Sequence, residues 1–167
     1  MSGSFAIDLT RFCQKADMDM KLVIRKITLE AFKRIILRTP VDTGMARGNW
    51  QVSAGAPVTV QISDGDKSGT ATLSKSEAGV LSWQCQGSLF MVNNLPYIGK
   101  LEYGGYPNPP KVGTRIKGQK FGEIRSASGY SRQAPQGMVR LTLAEMEAWA
   151  QSAGNSKETI TSIRSTS

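Results

Sequence analysis

Apolar residues recur at helical spacing over Met20 to Thr39: Met20, Val23, Ile24, Ile27, Ala31 and Ile35 form a stripe that Leu22, Leu29, Phe32 and Ile36 widen. This predicts one long amphipathic helix, with Lys21, Arg25, Lys26, Lys33, Arg34 and Arg38 on its polar side. Asp17 or Asp19 marks its start, and an earlier turn capped by Asp8 places Leu9, Phe12, Cys13 and Ala16 on one face. The helix stops at Arg38-Thr39-Pro40, because proline cannot continue the hydrogen-bond ladder, and Asp42 and Thr43 are placed to cap a short turn over Met45 to Asn49. Trp50 then opens a strand-like segment in which Val52, Val58, Val60 and Ile62 alternate with polar residues, and Pro57 makes it an edge or a bulge. Residues Thr70 to Ala78 fit either a weak helix or a loop. Over Val80 to Val92 the pattern is β-type, with Leu81, Trp83 and Cys85 inward, a bend at Gly87 and a more fully buried strand at Leu89-Phe90-Met91-Val92.

That strand runs into Asn93-Asn94-Leu95-Pro96-Tyr97-Ile98-Gly99-Lys100-Leu101-Glu102-Tyr103-Gly104, where the local structure changes most sharply. Pro96 pushes Leu95 toward extended geometry and belongs in the first turn of a helix. From there Tyr97, Ile98 and Leu101 share one face, Lys100 and Glu102 point outward, and Gly104 closes the turn. Downstream, Gln133-Ala134-Pro135-Gln136-Gly137 is a further corner; Met138 to Leu143 reads as a strand that turns helical from Ala144. Residues 151–167 form a Ser/Thr-rich tail after a single α+β domain over 1–150.

Charge alters this picture in one place. The net charge is +8, and between Tyr106 and Arg132 the chain carries Lys111, Arg115, Lys117, Lys120, Arg125 and Arg132 against Glu123 alone. Tyr106-Pro107-Asn108-Pro109-Pro110 excludes regular structure at the start of this stretch, so 106–129 is read as a long basic loop able to contact nucleic acid or an acidic protein surface. Its Gly113 to Lys120 lacks the Gly-Lys-Ser/Thr ending of a phosphate loop. Asp64, Asp66 and Ser68 have the spacing of a calcium loop, but Lys75 stands where its closing carboxylate belongs.

The chain has no histidine, which removes the commonest general base and metal ligand. Asp42, Asp64, Asp66, Glu102 and Glu123 lie at turns or on exposed faces with nothing to pair two of them as acid and base. Cys13 and Cys85 lack disulfide or metal spacing and are read as buried small hydrophobes. No enzyme, cofactor or metal is expected, and no window is long and apolar enough to span a bilayer.

Three segments together resemble the tail-completion proteins of long-tailed bacteriophages, the minor tail protein Z family. They are Arg38-Thr39-Pro40-Val41-Asp42-Thr43-Gly44 with Arg47, Asn49 and Trp50; Val92-Asn93-Asn94-Leu95-Pro96-Tyr97 with Leu101-Glu102-Tyr103-Gly104; and Gln133-Ala134-Pro135-Gln136-Gly137-Met138-Val139 with the helix that follows. The resemblance covers roughly residues 5–150 and implies an α+β fold, a long N-terminal helix on an antiparallel sheet. It further implies a structural virion protein at the neck, assembled in the host cytoplasm. Such a protein completes the tail and joins it to the head as part of a homo-oligomeric ring, six-fold by analogy, around the DNA channel. Tail terminator, head-tail connector and tail tube are its implied partners, with contact to genomic DNA and none to membrane. Pro40, Asp42, Gly44, Trp50, Asn93, Asn94, Pro96, Tyr97, Leu101, Glu102, Tyr103, Gly104 and Pro135 become the structural corner. The family pattern runs almost directly from the LEYG segment to the Gln-Ala-Pro segment, so the basic loop is an insertion. The competing reading is a nucleic-acid-binding module using the basic arm over residues 111–132.

Overall fold

A computed structural model describes residues 19–106 and 129–155. The turn capped by Asp8, Cys13, the cations Lys111, Arg115, Lys117, Lys120 and Arg125 with Glu123, and the tail beyond Asn155 lie outside the described residues.

Helix α1, Met20–Arg38, starts at Asp19, whose carboxylate accepts from Lys21 N at 2.8 Å. Neither glycine nor proline interrupts it. It ends where Thr39 takes extended geometry (φ −63, ψ 124) ahead of Pro40 and returns its N–H to the carbonyls of Ile35 and Ile36. Helix α2, Met45–Gly48, follows the corner, and Trp50–Ala54 forms β1. Helix α3, Thr70–Ser82, leads to β2, Leu89–Asn93; α4, Ile98–Tyr103, and α5, Val139–Asn155, are the remaining elements among the described residues.

The architecture is α+β. Its sheet is the antiparallel pair β1 and β2, in register from Trp50↔Asn93 to Ala54↔Leu89. Helix α3 lies on this pair, with Gly79 against Val52, and α1 packs mainly on α3 and α5 while its Ile35 and Ile36 share the core with Trp50 of β1. The two long neighbours α1 and α3 run antiparallel: Gly69 abuts Ile36 and Leu37 at one end, and Arg25 donates to the carbonyl of Trp83 at the other. Arg38 joins α1 to α5 by donating to both carboxylate oxygens of Glu145, at 2.7 and 2.8 Å, and to Thr142 Oγ1. The core gathers Ile35, Ile36, Ala46, Trp50, Leu95, Leu101, Ala134 and Met138 at the end of α1 where the corners meet.

Several local expectations are corrected. Val58, Val60 and Ile62 are not in a strand, because β1 ends at Ala54 and no backbone partner is offered; amide side chains hold this stretch instead. Thr70 to Ala78 is helical, and the helix continues through Leu81, which is 52% exposed. Trp83 caps that helix, and Cys85 is half-buried in a left-handed bend at φ 58, so neither alternates inward along a strand. Strand β2 is half-buried throughout rather than fully buried. Met138 to Leu143 is not a strand: α5 begins at Val139, and it extends beyond residue 151 into the stretch read as a tail. Pro96 is exposed and precedes the first turn of α4, whose N-cap is Tyr97.

Candidate functional site: a corner built from three segments

The first segment turns at Gly44, which sits at φ +90 and serves as N-cap of α2. Asp42 and Thr43 do not cap it as expected: Asp42 is exposed, and Met45 N reaches Thr43 Oγ1 only at 3.4 Å. The backbone takes this shape because Gly44 meets the loop at residues 63–69, its carbonyl accepting from Asp66 N at 3.1 Å. A Cβ on Gly44 would lie 2.6 Å from Lys67 N, so only glycine fits. Arg47 closes the same junction by donating to the carbonyls of Leu37, Thr39 and Lys67 at 2.7 to 3.0 Å, a cation at the negative end of α1. Trp50 packs below and gives its indole N–H to Thr39 Oγ1 at 2.7 Å; Thr39 passes its own hydroxyl to Ile35 O.

Asp66 acts as a helix cap rather than an exposed turn residue. Its carboxylate accepts from Gly69 N, Thr72 N and Thr72 Oγ1, each at 2.8 Å, and from Ser68 Oγ at 3.0 Å. Burial pushes its pKa up, but these bonds outweigh burial and hold it at about 2, below the ordinary 3.8. Since the folded state favours the carboxylate, its contribution is complete above about pH 4 and fades as pH falls toward 2. Glu102 shifts the same way. Thermal melts should therefore show a fall in Tm across that window, and Asp66→Asn should be less stable than the parent at neutral pH but lose less on acidification. Parallel acid profiles for the two proteins would contradict the assignment.

The second segment is fixed by amides. Asn93 Nδ2 donates to Ala46 O at 2.7 Å, and Asn94 Nδ2 donates to Val58 O and Val60 O at 3.0 and 2.9 Å. Asn49 exchanges two bonds with Ile62, its Nδ2 donating to the carbonyl and its Oδ1 accepting from the N–H. These side chains stand in for a third strand beside β1. Beyond them Leu101 is buried, Tyr97 and Ile98 pack on the core, and Gly104 ends α4 at φ 75, all as the spacing predicts.

Glu102 turns inward, against the outward orientation that its spacing predicts. The residue is 6% exposed. Its Oε2 accepts from Met138 N at 2.7 Å and Val139 N at 2.9 Å, and its Oε1 accepts from Arg140 N at 2.9 Å and Arg140 Nε at 3.2 Å. It thus supplies the cap of α5 from another helix, an anion at the positive end of the dipole. Burial raises its pKa, yet the N–H groups of Arg140, Met138 and Val139 and the Arg140 side chain hold it below the ordinary range. Gly137, at φ +83, permits the approach; a Cβ there would sit 2.9 Å from the carboxylate. Arg140 also donates to Glu102 O at 2.7 Å and lies over the exposed Tyr103 ring at 4.7 Å.

The third segment returns to the first through Gln133, whose side chain accepts from Val41 N at 2.7 Å and donates to Val41 O at 3.1 Å. Ala134 and Met138 are buried, and Pro135 is exposed at the bend. The structure therefore brings together Gly44, Trp50, Asn93, Tyr97, Leu101, Glu102 and Gly104; Pro40 is half-buried at the end of α1, and Asp42, Pro96, Tyr103, Pro135 and Arg132 face outward. Asp42 and Asp64 are exposed, whereas the carboxylates of Asp66 and Glu102 are engaged with the backbone of α3 and α5. Among the described residues no cluster of His, Cys, Asp or Glu is arranged to hold a metal ion, and no helix is long and apolar enough to cross a membrane. No protein-family model, curated protein or solved structure matches the chain.

Proposed function

We propose that the chain is a structural virion protein of a tailed bacteriophage, completing the tail and joining it to the head at the neck within a homo-oligomeric ring around the DNA channel. The observation that carries this reading is the convergence of the three segments on which the tail-completion resemblance rests. Gln133 ties the third to the first, Asn93 the second to the first, and Glu102 the second to the third. Their polar side chains are engaged with backbone groups of the same chain, which builds a rigid corner rather than a pocket awaiting substrate. Such a corner suits a subunit that must present fixed surfaces to a tail terminator, a tail tube and a head-tail connector. Electron microscopy of lysates lacking the gene should show filled heads and tails left unjoined; ordinary infectious virions in those lysates would refute the proposal.

The basic arm is the part of this subunit suited to a polyanion, whether genomic DNA or an acidic neighbour. Its two stems meet: Tyr106 N donates to Gly129 O at 3.4 Å, and Gly129 packs against Tyr106 too closely for a Cβ. Replacing residues 107–128 by a short Gly-Ser link should thus leave Tm within about 3 °C of the parent, given that loop length enters stability only logarithmically. Reversing Lys117 and Lys120 should likewise spare the fold while impairing assembly. A collapse of the circular dichroism melt in either protein would show that the arm belongs to the core.

A further inference from the structure

Strand β2 has an open edge. Gly55 N donates to Ser88 O at 2.9 Å, so in the register that sets Ala54 opposite Leu89 the backbone groups of Phe90 and Val92 face β1, and those of Leu89 and Met91 face away from it. Among the described residues no strand, loop or side chain bonds to the N–H or C=O of Leu89 or Met91, and no element other than β1 packs extensively on β2. Such a row of unpaired backbone groups is a template for another strand, and proteins ordinarily blunt it with charge, proline or a bulge. Leu89-Phe90-Met91-Val92-Asn93 has none of these. A sheet of two strands is also marginal, and a third strand would strengthen it.

The chain itself contains a segment of fitting chemistry. Over Lys111-Val112-Gly113-Thr114-Arg115-Ile116-Lys117 the β-branched residues Val112, Thr114 and Ile116 alternate with Lys111, Gly113, Arg115 and Lys117, the period-two pattern of a strand with one β-branched and one basic face. Strand β2 has no charged side chain to repel these cations. We infer that residues 111–117 of one copy add as a strand to the outer edge of β2 in the next copy, through the N–H and C=O groups of Leu89 and Met91. The added strand extends the sheet and keeps Lys111, Arg115 and Lys117 together on one face for a polyanion. Proline-rich spacers are stiff and extend about 3.1 Å per residue, so Pro107-Asn108-Pro109-Pro110 sets this run about 12 Å beyond the stems, toward a neighbour rather than its own sheet. The contact is head-to-tail, each copy giving an arm and receiving one, which closes a ring rather than a pair. It names the contact within the oligomer of the tail-completion reading, on which the ring alone rests, and is tested on the isolated chain, so that either can fail without the other.

Sedimentation equilibrium of the full chain at micromolar concentration tests it. The parent should have a mass several times 18.1 kDa. Leu89→Pro, which removes an outward N–H at the first residue of the strand, and the chain with residues 107–128 replaced by a Gly-Ser link should each associate at least about tenfold more weakly, with circular dichroism unchanged. Mixed together, the two should form a one-to-one complex that grows no further, because one keeps the arm and the other keeps the edge. If Leu89→Pro does not fold, amide exchange decides: Leu89 and Met91 should be protected in the parent and unprotected in the arm-replaced chain, with Phe90 and Val92 protected in both. Association that survives loss of the arm, or a mixture of the two folded variants that forms no complex, overturns the inference. So does a monomeric parent; protection of Leu89 and Met91 in that monomer would mean that the arm covers the edge of its own chain.

Discussion

Glu102→Ala is expected to lower the stability of the protein by about 4 kcal/mol, and Tm by about 10 °C, without altering the helical content of the remaining folded fraction. The carboxylate satisfies three consecutive backbone N–H groups, one of them on Met138, which is fully buried. Loss of a cap alone costs about 1 kcal/mol, but a buried donor left without a partner costs about 1 to 3 kcal/mol more, and this site has several donors beside a core residue. Alanine also leaves the positive end of the α5 dipole without its anion. Glu102→Gln keeps the shape and one acceptor oxygen yet must turn an NH2 toward an N–H group, so it should fall between alanine and the parent. Chemical denaturation with a shared m-value checks both. A loss below about 1 kcal/mol for the alanine variant would mean that water replaces the carboxylate and that the link between α4 and α5 is peripheral.

Gly44→Ala is the second large effect, expected at about 3 kcal/mol or more, against about 1 kcal/mol for Gly55→Ala. The comparison separates two costs. Both glycines have left-handed backbone, at φ +90 and +84, so alanine at either one pays the conformational penalty. Gly55 has nothing within 4 Å of its would-be Cβ, whereas Gly44 faces the backbone of Asp66 and Lys67 at 2.6 to 2.8 Å. Relief of that clash must move the 63–69 loop, and with it the Asp66 cap on α3 and the Arg47 bond to Lys67 O. Equal losses in the two variants would show that the corner yields without disturbing the loop.

Helix α1 was readable because its signals are local: apolar spacing of three and four, Asp19 before it and Pro40 after it. The corner residues Trp50, Leu101 and Gly104 were readable for the same reason. Glu102 was not, since the partner that turns it inward lies 36 residues away and no spacing on α4 reveals it. The same long-range cap decides α5, where Met138 to Leu143 taken alone resembles a strand. Over Val80 to Cys85 the alternation was genuine but misleading: docking of α3 on β1 and the Asp66 cap favour a helix in a stretch of weak intrinsic preference. Val58 to Ile62 likewise has a strand's pattern but, among the described residues, no strand pairs with it; Asn49, Gln51 and Asn94 take the hydrogen bonds. Asp66 did carry a readable signal, an aspartate three residues before Gly69 at a helix start, which its likeness to a calcium loop obscured.

The structural reading is tested most directly by titrating purified chain into an extract of cells infected with phage lacking the gene, counting joined virions and the copies of the chain each retains. The account predicts that joining rises in proportion to added protein and that a fixed number of copies stays in every particle. Joining driven by far fewer chains than virions, with none retained, would contradict it and identify a catalyst instead.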